Sequence, residues 1–374
     1  MIPYGRQTID DDDVAAVAEA LRGDWLTQGP GVAAFEEALA QACDAPYAVA
    51  FSSGTAALHA AAFAAGAGPG DEVLTSAITF AASANCAAYV GATPRFADID
   101  PATYNVTPET VAAALSERTK AVIPVSFTGL PAPVAELRAA LGDDVVLIED
   151  AAHALGSRRP DGPVGDAVHA DMTVFSFHPV KTVTTGEGGA ITVRDPELRE
   201  RLLTFRTHGM TKDPARLERP DEGGWYMEQQ ALGFNYRITD IQCALGLSQL
   251  AKLDRFVAAR NVIVDRYREG LAGIDGLRLP PEPPAGVVNA HHLFVVEVAE
   301  RRRVYDALRE RQIFAQVHYL PVYLHPWYRD TYGYAPGLCP AAEAYYARCL
   351  SLPCFPGLTE VEQDTVIAAL RDVL

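Results

Sequence analysis

Between residues 47 and 193, short apolar runs alternate with segments that repeat apolar residues at helical spacing. This alternation leaves the chain few folds to choose from. Residues 47–51, 72–75, 95–99, 121–125, 145–148, 172–177 and 190–193 read as strands, and 54–65, 80–90, 108–116 and 132–141 as helices. Strands and helices in this order build an α/β domain around a mainly parallel sheet, with helices on both faces. Such sheets bind ligands outside the carboxyl ends of their strands. The residues just after each apolar run are therefore the ones to inspect for chemistry.

The flanks read differently. Residues 10–21 form an amphipathic helix with Asp10-Asp-Asp-Asp in its first turn, where the helix dipole favours acids. Gly29-Pro30-Gly31 breaks the chain before a helix at 32–43. A long helical stretch at 240–271 ends in the break Leu279-Pro-Pro-Glu-Pro-Pro284. A strand at 292–298, a helix at 301–311 and a strand at 315–319 follow. A terminal helix starts at Thr359, where Thr-Glu-Val-Glu is a capping box. This predicts a large domain with its N-terminal segment at 1–245 and a smaller α+β domain at 246–374.

Charge and cysteine content exclude several classes. The net charge of −17 provides no basic surface for nucleic acid. Arg301-Arg302-Arg303 reads as a solvated helix face. No apolar run reaches the roughly 20 residues a membrane span needs. The opening Met1-Ile-Pro-Tyr-Gly-Arg6 lacks the apolar core of a secretory signal, so a cytoplasmic location is expected. The six cysteines contain no C-x-x-C and the nine histidines no H-E-x-x-H, so reduced thiols and no metal are expected.

Three segments could carry chemistry. Phe51-Ser-Ser-Gly-Thr-Ala-Ala-Leu58 ends a strand and opens a helix, whose free N–H groups can hold a phosphate. A plain helix cap explains it equally well. No glycine fingerprint for a dinucleotide and no P-loop occurs. Asp150, in Val145-Val-Leu-Ile-Glu-Asp-Ala-Ala-His153, sits at a strand end. It is either a cap or a carboxylate for a cationic ring nitrogen. Lys181, in Phe175-Ser-Phe-His-Pro-Val-Lys-Thr182, precedes the glycine turn Thr185-Gly-Glu-Gly-Gly189. Most lysines are surface residues, but one held in a partly apolar site becomes a nucleophilic amine. Ser176, five residues upstream, could reach a phosphate beside that amine. Together the three segments supply a phosphate cradle, a pyridinium partner and an amine for a Schiff base, the set that pyridoxal 5′-phosphate (PLP) requires.

The chain resembles, nearly end to end, the fold-type-I nucleotide-sugar aminotransferases of the DegT/DnrJ/EryC1/StrS group. The motifs are Leu26-Thr-Gln-Gly-Pro30, Ser52-Ser-Gly-Thr-Ala56, Thr79-Phe80 with Ala84-Asn85, Phe96-Ala-Asp-Ile-Asp100, Glu149-Asp-Ala-Ala-His153, and Phe177-His-Pro-Val-Lys-Thr182 with Gly186-Glu-Gly-Gly189. They continue with Gly233-Phe-Asn-Tyr-Arg237, Asp240-Ile-Gln242, His318-Tyr-Leu-Pro321 and Ser351-Leu-Pro-Cys-Phe-Pro356. The resemblance implies a mainly parallel seven-stranded sheet with a smaller C-terminal domain, PLP held covalently on Lys181, and a homodimer with shared sites. It implies Lys181 and Asp150 as catalytic residues, with Lys181 moving a proton between the amino-bearing carbon and cofactor C4′. It further implies that His153 meets the ring hydroxyl and Phe80 stacks on the ring. Gly54, Thr55 and Ser176 would hold the phosphate, with Asn235 arriving from the partner. Tyr4, Asp24, Trp25, Leu26, Thr27, His318, Tyr319 and Pro321 would line the sugar pocket with Gly54, Ser176 and Asn235, the group at 318–321 reaching across the dimer.

Ile2-Pro-Tyr-Gly-Arg-Gln7, Asp24-Trp-Leu-Thr-Gln28 and Met227-Glu-Gln-Gln230 are most similar to the branch that aminates C4 of UDP-2-acetamido-2,6-dideoxy-β-L-arabino-hex-4-ulose, with L-glutamate as donor. Two positions depart from the family pattern: His153 stands where many members carry Gln, and Ser126 where many carry His. Competing readings are amination of another nucleotide keto-sugar, a PLP-dependent sugar deoxygenase or dehydratase, a non-enzymatic scaffold, and a nicotinamide oxidoreductase. Family members that only deoxygenate replace the lysine with histidine, and a scaffold would lose Asp150 or Lys181. Both residues are present.

Overall fold

A computed structural model covers Met1–Leu374. Seven strands form the central sheet: β1 (Tyr47–Phe51), β2 (Glu72–Ser76), β3 (Thr93–Ala97), β4 (Thr119–Ile123), β5 (Val146–Asp150), β6 (Met172–Ser176) and β7 (Gly189–Val193). Their order across the sheet is β1-β7-β6-β5-β4-β2-β3. Only β7 runs antiparallel to its neighbours. The physical reason lies in the connection. A parallel return needs a crossover, usually helical, whereas 177–188 links β6 to β7 without a helix. The carboxyl ends of β1, β5 and β6 therefore share one edge, and the 177–188 loop that carries Lys181 lies on it.

Helices cover both faces. On one face α3 (Gly54–Ala64) has six alanines among its eleven residues and is buried around its whole circumference, so its backbone packs close to β6 and β7. On the other, α2 (Pro30–Ala42) and α8 (Asp240–Leu250) enclose a second cluster built on Phe35, Leu39, Phe175 and Phe177. A third core surrounds the three-stranded sheet of β8 (Leu277–Arg278), β9 (Phe294–Val298) and β10 (Cys349–Leu352). The N-terminus reaches this core, because Ile2–Pro3 pairs in parallel with Ile313–Phe314.

Several expected elements shift. The strand placed at 95–99 begins two residues earlier, because Thr93 and Pro94 pair with Glu72 and Val73. The helix placed at 108–116 spans only Pro108–Ala112. The stretch at 240–271 is two helices, α8 and α9 (Leu253–Leu271), broken at Ala251 and Lys252. The strand placed at 315–319 is irregular: after Ile313–Phe314, only Gln316 bridges Ser351. The helix Pro196–Arg206 and strand β10 were not anticipated. The box at Thr359 forms as read, with Glu362 closing it.

An internal charge cluster braces the end of β5. Arg159 Nη2 donates to Asp166 Oδ1 at 2.8 Å, and Nη1 to Glu149 Oε2 at 3.4 Å. Ser126 Oγ donates to Glu149 Oε1. All four side chains are buried. Burial pushes the Glu149 carboxyl up, and Arg159 opposes that rise. Arg159→Met is expected to destabilise the fold by about 3–5 kcal/mol, because it leaves two buried carboxylates without a counter-ion. Urea unfolding monitored by circular dichroism measures the loss.

Candidate active site

A cavity of about 450 Å³ opens at the carboxyl edge of β1, β5 and β6. Ten of the anticipated residues line it: Gly54, Thr55, Phe80, Asp150, His153, Ser176, Lys181, Tyr4, His318 and Tyr319. One wall is the first turn of α3. Ser53 caps that turn by accepting the N–H of Ala56. The N–H groups of Gly54 and Thr55 precede any intrahelical acceptor and sit at the positive end of the helix. Ser176 stands opposite: a Cβ on Gly54 would approach Ser176 Cβ to 2.9 Å. Gly189 supports the same turn from below, where a Cβ would meet Ser53 O at 2.5 Å and Gly54 N at 2.6 Å. Two close approaches thus require glycine at the cradle.

Asp150 ends β5, 4% exposed. Its Oδ2 accepts the Ser83 hydroxyl at 2.6 Å and its Oδ1 the Ala152 N–H at 3.1 Å. Burial pushes this carboxyl up, while those two hydrogen bonds and Lys181 hold it down. Lys181 is half-buried in the same cavity. Desolvation pulls its amine down to about 8, against the opposing pull of Asp150. A free amine is nucleophilic and an ammonium is not. In cofactor-free protein, acylation of Lys181 by acetic anhydride should therefore rise to half its plateau near pH 8. Ordinary lysines, at about 10.4, remain protonated there. Peptide mapping of trace-labelled protein at stepped pH reads this out, and a Lys181 profile that follows the surface lysines would refute the shift.

Three buried imidazoles line the same cavity. His153 and His292 lie with ring centroids 4.4 Å apart, and Nδ1 of each is buried without a partner. His318 Nδ1 is 2.8 Å from Ser351 Oγ. Burial, aided by the Lys181 charge, pulls all three well down and keeps them neutral at neutral pH. His292 and Ser83 were missed from sequence. His292 lies just before β9 and far from every motif in the 47–193 series. Ser83 lay unmarked between Thr79-Phe80 and Ala84-Asn85.

Other anticipated residues lie elsewhere. Asp24, Trp25, Leu26 and Thr27 are exposed and outside the cavity. Their segment is tied to the start of α8: Asp240 N donates to Leu26 O, and the Asp240 carboxylate accepts from the Gly29 and Gly31 N–H groups. Asn235 is exposed and bridges Thr207. Pro321 is buried outside the lining. His318 and Tyr319 line the cavity of their own chain, which corrects their placement across a dimer. The irregular segment after Ile313–Phe314 brings the Tyr319 ring to 6.2 Å from Phe80.

The sheet order, with its single reversed strand and its chemistry on one edge, is that of the type I fold of PLP-dependent transferases. A solved structure of an inferred sugar aminotransferase from Streptococcus pneumoniae matches it with a TM-score of 0.92 and 30% identity over 100% of this chain and 99% of that one. That protein has been solved in PLP- and PMP-forms. PseC of Helicobacter pylori, an aminotransferase involved in the biosynthesis of pseudaminic acid, matches with a TM-score of 0.91 and 30% identity over 100% and 98%. The spore coat polysaccharide biosynthesis protein SpsC of Bacillus subtilis is 40% identical over 100% of this chain and 97% of its own length. The profile of the DegT/DnrJ/EryC1/StrS aminotransferase family matches residues 7–371. The chain belongs to that family. No helix is long and apolar enough to cross a membrane.

Proposed function

We propose that this chain is a PLP-dependent aminotransferase. In this reading it moves the amino group of L-glutamate to C4 of a UDP-linked 4-keto-6-deoxy-N-acetylhexosamine, giving UDP-4-amino-4,6-dideoxy-N-acetyl-β-L-altrosamine. The observation that carries the reading is the half-buried Lys181, its amine near pH 8, sharing one cavity with the buried Asp150. The residues present fit the cofactor. The His153 Nδ1 has no partner in the chain, and Gly54 leaves a cradle that a side chain would fill. Bound there, PLP supplies an electron sink that lets an amino-bearing carbon lose a proton.

The remaining roles belong to the protein. Gly54, Thr55 and Ser176 bind the phosphate through N–H and hydroxyl groups. Asp150 keeps the proton on the ring nitrogen, His153 meets the ring hydroxyl and Phe80 covers the ring. Lys181 Nζ would anchor the cofactor and then move a proton from the amino-bearing carbon to cofactor C4′. Tyr4, His318 and Tyr319 face the sugar. Asn235 and residues 24–27 complete the site in a homodimer, where the exposed Trp25, Leu26 and Phe234 become covered. A cytoplasmic location agrees with the supply of nucleotide sugars and glutamate.

The likeness to PseC, an aminotransferase involved in pseudaminic acid biosynthesis, supports this reading. The higher identity to SpsC supports a second reading, amination of another nucleotide keto-sugar for a surface polysaccharide. Incubating the protein with PLP, glutamate and a panel of 4-keto UDP- and dTDP-sugars separates the two. Amination of a dTDP-keto-hexose and of neither UDP epimer would defeat the first reading.

A further inference from the structure

The side chains behind Asp150 are ordered in a way that the proposed function does not by itself require. Thr79, Ser83 and Asp150 are each at least 96% buried. Thr79 Oγ1 lies 2.7 Å from Ser83 Oγ, which lies 2.6 Å from Asp150 Oδ2. The direction of the two bonds follows from what each group can give. An ionised carboxylate only accepts, so the single Ser83 proton goes to Asp150. Ser83 Oγ is then an acceptor toward Thr79, and the Thr79 proton goes to Ser83. The other acceptor within reach of Ser83, Phe80 O at 3.3 Å, is longer and receives no proton in this arrangement. Ser83 is in the first turn of α4 (Ala82–Tyr89), where no side chain caps the helix, so its hydroxyl is not engaged in capping.

We propose that Thr79 and Ser83 form a hydroxyl relay that aims Asp150 at the cofactor ring nitrogen and keeps it ionised there, an inference that rests on the function proposed above. Both are positioning residues: they act through Asp150. A hydrogen bond to a buried carboxylate favours its charged form, and a second hydroxyl behind the first polarises it further. The other groups facing Asp150 cannot substitute. Lys181, on the 177–188 loop, is the only cation acting on it, and the proposed chemistry commits that amine elsewhere. The Cys86 thiol on α4 and the Tyr319 phenol are pushed far up by burial and stay neutral.

The test uses pyridoxamine 5′-phosphate, which has no carbonyl and so binds without a bond to Lys181. Its affinity is measured by equilibrium dialysis from pH 5 to 8, where protonating Asp150 weakens binding on the acid side. Ser83→Ala should move that acid limb up by about 1–2 pH units, the worth of one hydrogen bond to a charge, and weaken binding about tenfold or more near pH 6. Thr79→Val should move it the same way by less, Ser83→Thr should restore it, and Cys86→Ala should leave it in place. Weakening by one constant factor at every pH, or an unmoved limb, overturns the relay. If Ser83→Ala does not fold, Thr79→Val decides: a limb coincident with wild type overturns it. Wild-type protein that takes up no cofactor overturns the proposed function together with the relay, whereas normal wild-type binding with unmoved variants overturns the relay alone.

Discussion

Lys181→Ala is expected to reduce amino transfer by about 10⁴-fold or more while leaving the fold as stable as before. Two effects combine. The amine is the anchor for the cofactor, and it is the base that moves the proton between carbons, a role typically worth 10²–10⁴ alone. The three buried imidazoles of the cavity do not replace it: His153, His292 and His318 are held neutral and far from lysine's basicity by burial. The stability half of the prediction has a separate origin. Desolvation is the first cause of the lowered Lys181 amine. Below pH 8 the folded protein carries an ammonium that water would solvate better, and this penalty fades as pH rises from 8 toward the unfolded value. Removing the side chain removes the penalty. The expected result is an inactive protein whose thermal midpoint at pH 7 is equal or higher. Single-turnover kinetics and calorimetry on the same sample read both, and a lower midpoint would show Lys181 to be structural.

Asp150→Asn should be the next most damaging change, costing about 2–5 kcal/mol at the cofactor, a factor of roughly 30 to several thousand in affinity or turnover. The substitution keeps shape and removes charge. A carboxylate holds a proton on the ring nitrogen, and a protonated ring is the effective electron sink. An amide stabilises no cation, and its NH₂ replaces one oxygen, so it faces either the Ser83 hydroxyl or the Ala152 N–H, both of which now donate to Asp150. The loss should therefore appear in kcat and in cofactor affinity together, measured by initial rates over a cofactor titration. A variant that binds and turns over normally would remove Asp150 from the chemistry.

How much of this was legible can be traced residue by residue. Asp150 and Ser176 end strands whose apolar runs are plain in the sequence, and a parallel sheet puts such ends on one edge whatever the side chains do. Lys181 follows because the 177–188 loop has no helix to carry a crossover and so stays at that edge. The irregular segment at 315–319 reads as a strand because its residues alternate like one. What ends the strand is pairing: Ile313–Phe314 is matched by Ile2–Pro3, and beyond it only Gln316 finds a bridge. His292 could not be foreseen, since its ring reaches His153 across 139 positions of chain. Ser83 had a faint signal, a second hydroxyl four residues after Thr79 at the start of the expected helix.

The sequence alone determined the α/β class, the edge that carries chemistry and the order of cradle, acid and amine along it, because these depend on local periodicity and on the short reach of connections. The tertiary structure alone decided which groups share a cavity with Lys181, which protons Asp150 accepts and how far burial lowers the amine. Those properties are set by distances of a few ångströms and by excluded water, and both come from elements far apart in the chain.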